Sequence, residues 1–221
     1  MIRPGTSIPD ATSTIKGKVE LATDAEAAAG TSTTVVLTPA NLAAVLAYQS
    51  IFIPASAMTS TATNGASFAR KEFATNDINV DYLAFDTTTE EFVEFQFPMP
   101  ENWDRGTVKA KFFWAPSDDS GSTSSTVEWE IAAGALSNDD AFDQALGTAQ
   151  VISDTVLAGE SGDLHISGAT PALTVGGTPA LGDLVHFKVS RNVGGTDDYG
   201  ADALLLGVWI QFKVTNTVAT W

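Results

Sequence analysis

Hydrophobic and polar residues alternate with a period of two over most of the chain after residue 78. The alternation is clearest in four segments, residues 78–82, 93–97, 108–114 and 127–131. Period two places the apolar side chains on one face of a β-strand. Further strands are predicted at residues 150–157, 163–167, 172–175, 184–191 and 204–214. In the last of these, the residues predicted to share a face are Leu204, Leu206, Val208, Ile210, Phe212 and Val214.

Turn-forming residues separate the predicted strands. Gly, Asp and Ser are concentrated at residues 118–122, 159–162 and 194–200, and these residue types favour tight turns. One helix is predicted between strands, with Ser137 as N-cap, Asp140 three residues later and Gly147 after its end. About nine short strands over roughly 140 residues indicate a mainly β domain, a jelly-roll-like antiparallel β-sandwich.

The first 50 residues follow a different pattern. Thr23 and Glu26 form a capping-box pattern, and Thr38 with the following proline marks the start of a second helix. An apolar stripe at helical spacing follows, made of Leu42, Val45, Leu46 and Gln49. A helix of about three turns is too short to be stable alone in water. Either the rest of the chain or another copy must cover the stripe, and we predict that Leu42, Val45 and Leu46 form a trimer interface.

These patterns divide the chain into three parts. Residues 1–50 are predicted to form an arm with a short helix, residues 51–77 a linker or first loop, and residues 78–221 a β-sandwich head. Charge follows the same division, because residues 1–50 carry three basic and four acidic residues whereas residues 51–221 carry eight and twenty-three. The arm and the head therefore face different surroundings.

Composition excludes several classes of partner and chemistry. The 221 residues carry a formal net charge of -16, which repels nucleic-acid phosphates and anionic lipids. The absence of cysteine excludes disulfides, thiolate zinc sites and cysteine nucleophiles. Neither a signal peptide nor an apolar run of about 20 residues is present, so we expect synthesis in a cytoplasm and no membrane insertion.

Candidate catalytic residues are few. Glu128 and Glu130 would lie about 7 Å apart on one strand face, within the range of glycosidase carboxylate pairs. Alternating glutamates are also typical of the solvated face of a half-buried strand, and we favour this interpretation. His165 and His186 lie within apolar strand patterns and are predicted to be ordinary strand residues. Without a Gly-x-Ser-x-Gly elbow, the sequence predicts no enzyme and no cofactor.

The loop at residues 194–200 is the candidate receptor-binding site. Asp197 and Asp198 can accept hydrogen bonds from sugar hydroxyls, and Tyr199 offers a ring on which a sugar can stack. A solvated hairpin connection is the alternative interpretation. The paired aspartates lack the spacing of a calcium-binding loop, so no metal is predicted. Trp103, between Pro and Gly, is predicted to cap the sandwich.

A specific resemblance lies in the arm. Residues 13–42 fit the pattern S-T-x-K-G-x-V-x-L-A-T-x-x-E-A-x-x-G-T-x-x-x-x-x-x-T-P-x-x-L, which resembles a repeat of tailed-bacteriophage tail fibres. Stretches of the head, among them residues 102–108, 141–149, 163–166 and 201–208, look like C-terminal domains of phage and prophage proteins, and this second resemblance brings no activity.

The resemblance implies a homotrimeric protein attached to the virion, with a distal domain that meets the host. A single repeat fits a short fibre or spike better than a long fibre. The predicted partners are therefore two further copies of the chain, other virion proteins of the tail or capsid, and a glycan or protein of the host surface. A capsid decoration or head-fibre protein and a glycan-cleaving spike are the alternatives.

Overall fold

The computed structural model describes residues 10–12, 16–45, 47–117, 124–157 and 162–215. The chain forms two compact units, Met1–Ala47 and Tyr48–Trp221, which we call the arm and the head. The predicted turns at residues 118–122 and 159–161 and the predicted interface residue Leu46 lie outside the described residues.

The part of the arm that the structure describes contains two helices and two very short strands. Strand β1 (Glu20–Leu21) pairs in parallel with β2 (Val35–Val36), and helix α1 (Asp24–Ala29) connects them. Thr23 and Glu26 form the predicted capping box, in which Glu26 Oε2 accepts a hydrogen bond of 2.9 Å from the Thr23 backbone N–H. Gly30 ends the helix with a φ of 62°, a conformation that glycine adopts without strain.

The second helix is shorter than predicted. Helix α2 (Pro39–Val45) has seven residues, about two turns, and it begins with reciprocal hydrogen bonds between Thr38 and Asn41. Strand β3 (Tyr48–Pro54) starts three residues after the end of α2 and takes Gln49 into the sheet. Gln49 is therefore not part of the helical stripe.

The prediction of a linker at residues 51–77 is wrong. Beyond β3, this segment contains a 3-10 helix (Ala55–Ala57) and strands β4 (Thr59–Ser60) and β5 (Ser67–Phe73), all within the head. The intervening Thr- and Ser-rich residues form a tight connection, in which Asn64 has a φ of 52° and its carbonyl accepts a hydrogen bond from Phe92 N–H. The sequence lacks an apolar period here because these short strands are largely exposed to solvent.

The described residues of the head form these further strands: β6 (Ile78–Phe85), β7 (Phe92–Pro98), β8 (Trp103–Pro116), β9 (Thr126–Leu136), β10 (Gln150–Thr155), β11 (His165–Ile166), β12 (Leu184–Arg191) and β13 (Ala203–Val214). One sheet has the strand order β10-β9-β12-β7-β4, and the other has the order β11-β8-β13-β6-β5, with β3 also paired to β13. The paired strands of the head are antiparallel, which confirms the predicted mainly β, jelly-roll-like sandwich.

Aromatic side chains fill the space between the two sheets. Trp129 of β9 contacts Phe112 of β8 and Phe85 of β6, with ring centroids 5.4 and 5.2 Å apart. Trp103, the first residue of β8, is buried, which confirms its predicted packing role. Burial of several such rings supplies much of the apolar area that stabilises the sandwich.

The prediction of a helix after Ser137 is wrong. Asp140 Oδ2 accepts a hydrogen bond of 2.8 Å from Ser137 N–H, as a helix start would provide, but only a single turn forms. Gly147 N–H instead donates to the carbonyl of Ala133, so the chain runs back along β9. The strand predicted at residues 172–175 is likewise reduced to the isolated bridge between Leu173 and Val108.

Strand β13 contains a bulge that changes its side-chain alternation. The register with β8 shifts between Leu205 and Gly207, so Leu206 is an extra residue. Before the bulge Leu205 is buried, and after it Val208, Ile210 and Phe212 are buried. The prediction that Leu204 and Leu206 share a face with Val208 is therefore wrong, because a bulge reverses the alternation of every residue beyond it.

Candidate functional site

The loop predicted to bind a receptor is exposed over much of its length but places Tyr199 in the core. Tyr199 is only 1% exposed, and its ring lies 6.3 Å from that of Trp114, centroid to centroid. The guanidinium carbon of Arg191 lies 5.6 Å from the centre of the Tyr199 ring. The prediction of an exposed stacking ring is wrong, since Tyr199 fills the interior beside a buried cation.

Arg191 explains why this loop folds inward. Its side chain is fully buried, and all five of its N–H groups donate hydrogen bonds. Nε and one Nη2–H bind the Asp197 carboxylate at 2.8 and 2.7 Å, and the other three bind the carbonyls of Phe85, Ala201 and Tyr199. Asp197 therefore neutralises a buried charge and is not available to a ligand.

Glu128 belongs to the same buried network. Its carboxylate accepts hydrogen bonds from Asn192 Nδ2, Ser153 Oγ and both the N–H and Oγ1 of Thr196. A Cβ atom placed on Gly195 would lie 1.8 Å from Glu128 Oε1, so a side chain there would displace this carboxylate from its hydrogen bonds. The prediction of a solvated Glu128 is wrong, and its oxygens are occupied by structural hydrogen bonds.

The neighbouring acids are less enclosed. Glu130 is half-buried, and its pKa is raised first by burial and then by the nearby carboxylates of Glu90 and Glu128. Asp198 is exposed, and its Oδ1 accepts a hydrogen bond of 2.5 Å from Thr126 N–H. Glu128 and Glu130 thus lie in different environments, one inside the loop network and one at the outer side of the sheet.

Both histidines are strand residues, as predicted. His165 is buried in β11 beside Trp114, and its Nε2 accepts a hydrogen bond of 3.0 Å from Leu157 N–H. His186 lies on the outer face of the five-stranded sheet, with Nε2 3.5 Å from Glu94 Oε1. A cavity of about 270 Å³ adjoins this pair, and the exposed Phe142 forms part of its wall.

The outer face of the six-stranded sheet presents exposed aromatic rings together with lysines. We call it the aromatic–lysine face, and it consists of Tyr48 and Phe52 of β3, Lys109, Lys111 and Phe113 of β8, and Trp209, Gln211 and Lys213 of β13. Tyr48, Phe52 and Trp209 are 63%, 48% and 43% exposed. Large exposed rings on one face are a feature of binding surfaces.

Backbone features place these rings. The bulge at Leu206 turns Trp209 outward, and Trp209 pairs across the sheet with Phe52 on one side and Lys111 on the other. Gly207 leaves room for the Phe52 ring, because a Cβ atom there would lie 2.3 Å from its tip. Phe113 contacts both Phe52 and Trp209, with centroids 5.2 and 5.9 Å apart, so the three rings form one cluster.

Two adjoining depressions run along this face. One, of about 140 Å³, is lined by residues that include Ser50, Lys111 and Trp209. The other, of about 160 Å³, is lined by residues that include Tyr48 and Asp104. Lys109 and Gln211 line both. The face is therefore a shallow groove long enough for an extended ligand.

The arm also exposes apolar residues. Leu42 and Val45, two of the predicted interface residues, are 47% and 43% exposed. Four more large apolar side chains of the arm are exposed: Val19, Leu21, Val36 and Leu37. Within the described part of the arm these side chains are left largely open to solvent.

Other kinds of site are not found where the structure is described. Within those residues, no group of three His, Asp or Glu side chains is arranged to hold a metal ion. Among the same residues, no helix has the length and apolar character needed to cross a bilayer.

The comparisons with known proteins give distant structural likenesses. No protein-family model and no curated protein sequence matches the chain. The chain is similar to the CBM36-1 domain of a multidomain xylanase from the hindgut metagenome of Trinervitermes trinervoides. The two share 10% sequence identity with a TM-score of 0.39, and the match covers 73% of this chain and 96% of that domain. It is also similar to CBM28, a carbohydrate-binding module specific for non-crystalline cellulose, with 9% identity, coverages of 72% and 86%, and a TM-score of 0.38.

A third similar structure is the family 11 carbohydrate-binding module of Clostridium thermocellum in complex with a mixed-linked tetrasaccharide. It has 12% identity, coverages of 75% and 89%, and a TM-score of 0.35. At these TM-scores the likeness is too distant to transfer a ligand or a binding residue. The candidate site accordingly depends on the exposed groups of this chain alone.

Proposed function

We propose that the protein is a homotrimeric fibre or spike protein of a tailed-bacteriophage virion, and that its head binds a glycan of the host surface. The resemblance of residues 13–42 to a tail-fibre repeat supports the virion attachment. The position of this repeat in a separate compact unit, Met1–Ala47, fits an attachment arm that precedes a binding head.

The aromatic–lysine face is the observation that carries the binding role. Pyranose rings have an apolar C–H face that packs on aromatic rings, and their hydroxyl groups need hydrogen-bonding partners at the edge. Trp209 and Phe52 supply adjacent rings, while Gln211 and Ser50 pair across the sheet beside them and supply polar groups. The rigid sheet holds these groups in place, so little conformational entropy is lost when a sugar binds.

The exposed apolar residues of the arm support assembly. Leu42 and Val45 lie on a helix too short to be stable without packing, and contact between three copies would remove their side chains from water. Trimerisation would also multiply modest affinities, because three heads engage one surface together.

Substitution of Trp209 tests the binding role. The Trp209→Ala variant should remain folded, with a modestly lower melting temperature because the half-exposed ring packs on Phe113. It should lose about tenfold or more in adsorption to host cells, since truncation of a central aromatic contact costs about 2 kcal/mol or more. Phe142→Ala is the matched control, because Phe142 is an exposed ring away from this face, in the connection between β9 and β10. A folded Trp209→Ala protein that adsorbs like the wild type would refute this role.

A capsid decoration or head-fibre protein is the second candidate. The exposed apolar surface of the arm would suit attachment to a capsid as well as to a tail. Cryo-electron microscopy of the particle distinguishes the two by the position of the head density. The glycan-cleaving spike is not favoured, because the oxygens of Glu128 are committed to structural hydrogen bonds.

A further inference from the structure

We infer that the glycan bound by the aromatic–lysine face is anionic and carries carboxylate or phosphate groups. This inference rests on the proposed glycan-binding role of the same face. It concerns the lysines of the groove, whereas the binding role itself rests on the aromatic rings.

The lysines alternate with the groups that would contact a sugar. Lys111 pairs directly with Trp209, and Lys109 pairs with Gln211, on the adjacent strands β8 and β13. Lys213 pairs with Tyr48 on the other side of β13. Adjacent strands lie about 4.8 Å apart and residues i and i+2 about 7 Å apart. Three ammonium groups can therefore reach substituents of a sugar that is stacked on the rings.

These lysines are not neutralised within the described residues. The salt bridges of that part of the chain include none of Lys109, Lys111 and Lys213. Asp104 is the acidic residue that lines the groove, and its Oδ1 already accepts a hydrogen bond from Gly106 N–H. The groove thus has an excess of positive charge.

Cations elsewhere in the head are engaged differently. Arg70 is paired with Asp81, and Arg191 is buried with Asp197. The ammonium groups of Lys71 and Lys188 lie 5.1 and 4.0 Å from the ring centres of Phe73 and Phe92. Arg105 of β8 is the remaining basic residue of the head, and it too is absent from the salt bridges of the described residues. The uncommitted lysines of β8 and β13 therefore stand out from four of the five other cations of the head.

The charge of the whole protein strengthens the argument. A formal net charge of -16 repels a polyanion from most of the surface, so a polyanion that binds at all is directed to the face where lysines cluster. A second copy of the chain is a poorer occupant, because in a twofold contact the same face meets itself and opposes lysine to lysine. An anionic glycan satisfies both the rings and the charges.

The first part of the test compares ligands. Binding of the full-length protein to alginate, to polyglycerol phosphate and to neutral dextran should be measured by calorimetry between about 0.05 and 0.5 M NaCl. We expect one or both polyanions to bind at least about tenfold more tightly than dextran at low salt, and this preference should fall as salt screens the charges. Polyglycerol phosphate carries phosphate groups without a sugar ring, so binding of alginate alone indicates that a charged sugar ring is needed, whereas binding of both indicates recognition of the charge itself.

The second part compares variants of equal net charge. Lys109→Gln with Lys111→Gln should weaken polyanion binding by about 2- to 30-fold, because two exposed ion pairs are lost. The control pair Lys71→Gln with Lys188→Gln removes the same charge elsewhere and should bind like the wild type. Melting curves verify that all variants are folded, and Lys109→Arg with Lys111→Arg should retain binding.

The outcomes distinguish this inference from the proposed function. Equal binding of dextran and polyanions, no polyanion binding at low salt, or equal losses in the two charge-matched variants would overturn the anionic ligand. If the Trp209→Ala protein still loses adsorption to cells in any of these cases, the face binds a neutral glycan and the proposed function stands. If Trp209→Ala instead changes only the oligomeric state in sedimentation, the face is a contact between copies and both proposals fail.

Discussion

Replacement of Asp197 by alanine should destabilise the head severely. The Asp197 carboxylate accepts hydrogen bonds from Arg191 Nε and Nη2 at 2.8 and 2.7 Å, and from the backbone N–H groups of Glu128 and Tyr199 at 3.0 and 3.3 Å. Without this carboxylate, the fully buried guanidinium of Arg191 keeps its charge and loses its only anionic partner among the salt bridges of the described residues. Removal of one member of a buried ion pair costs about 3–5 kcal/mol.

The size of the effect makes it easy to measure. For a domain of about 150–250 residues, each kcal/mol lowers the melting temperature by about 2–4 °C, so Asp197→Ala should melt about 6–20 °C below the wild type. Calorimetry or circular dichroism of the full chain gives this value. Chemical denaturation should show the same loss as a lower midpoint.

Asp198→Ala is the matched control. It removes the same charge from the neighbouring position, but Asp198 is exposed and its carboxylate accepts only the Thr126 N–H bond among the hydrogen bonds described. Its loss should cost about 1 kcal/mol. If Asp197→Ala melts like Asp198→Ala, the buried ion pair is not a stabilising element and the binding-loop interpretation of residues 194–200 regains support.

Two further predictions concern pH and assembly. Burial raises the pKa of the Glu130 carboxyl, so the folded state holds its proton more tightly than the unfolded state does. The free energy of unfolding therefore falls as pH rises above about 4.5 through the folded pKa. Glu130→Gln should melt at a higher temperature than the wild type near pH 7 and at the same temperature near pH 4, and equal melting at both pH values would contradict this. The Leu42→Asp, Val45→Asp variant should shift sedimentation of the full chain from trimer towards monomer, because burial of a charge without a partner is costly. A wild-type protein that sediments as a monomer at micromolar concentration would refute the trimer.

The strands of the head follow from local sequence, but the role of the 194–200 loop does not. Period-two alternation places Val93 and Val127 on the buried face whatever the partners are. Glycines and aspartates in a loop are equally typical of a solvated turn and of a ligand-binding loop. The buried Arg191 decides between the two interpretations, because it draws Asp197 of the loop inward. In the sequence Arg191 lies within a strand pattern, and only the contacts of the folded chain distinguish it from an exposed arginine.

The aromatic–lysine face left a signal in the sequence that becomes clear only with the bulge. Trp209 stands between Val208 and Ile210 on the polar side of the alternation, together with Gln211 and Lys213. A large ring at such a position indicates a surface platform. Its neighbours Phe52 and Lys111 come from segments distant in the chain, and cross-strand register brings them together.

The register of β13 beyond its extra residue also constrains how this protein can diversify. Deletion of Leu206 would restore plain alternation and leave Val208, Ile210 and Phe212 inward, whereas deletion of a residue between positions 208 and 213 would turn the outward side chains beyond it towards the interior. Changes in length within residues 208–213 should therefore be selected against, whereas substitutions at Trp209, Gln211 and Lys213 leave the interior untouched. In a lineage under pressure to change its ligand, we expect variation at those outward positions by substitution, with the length of this segment fixed.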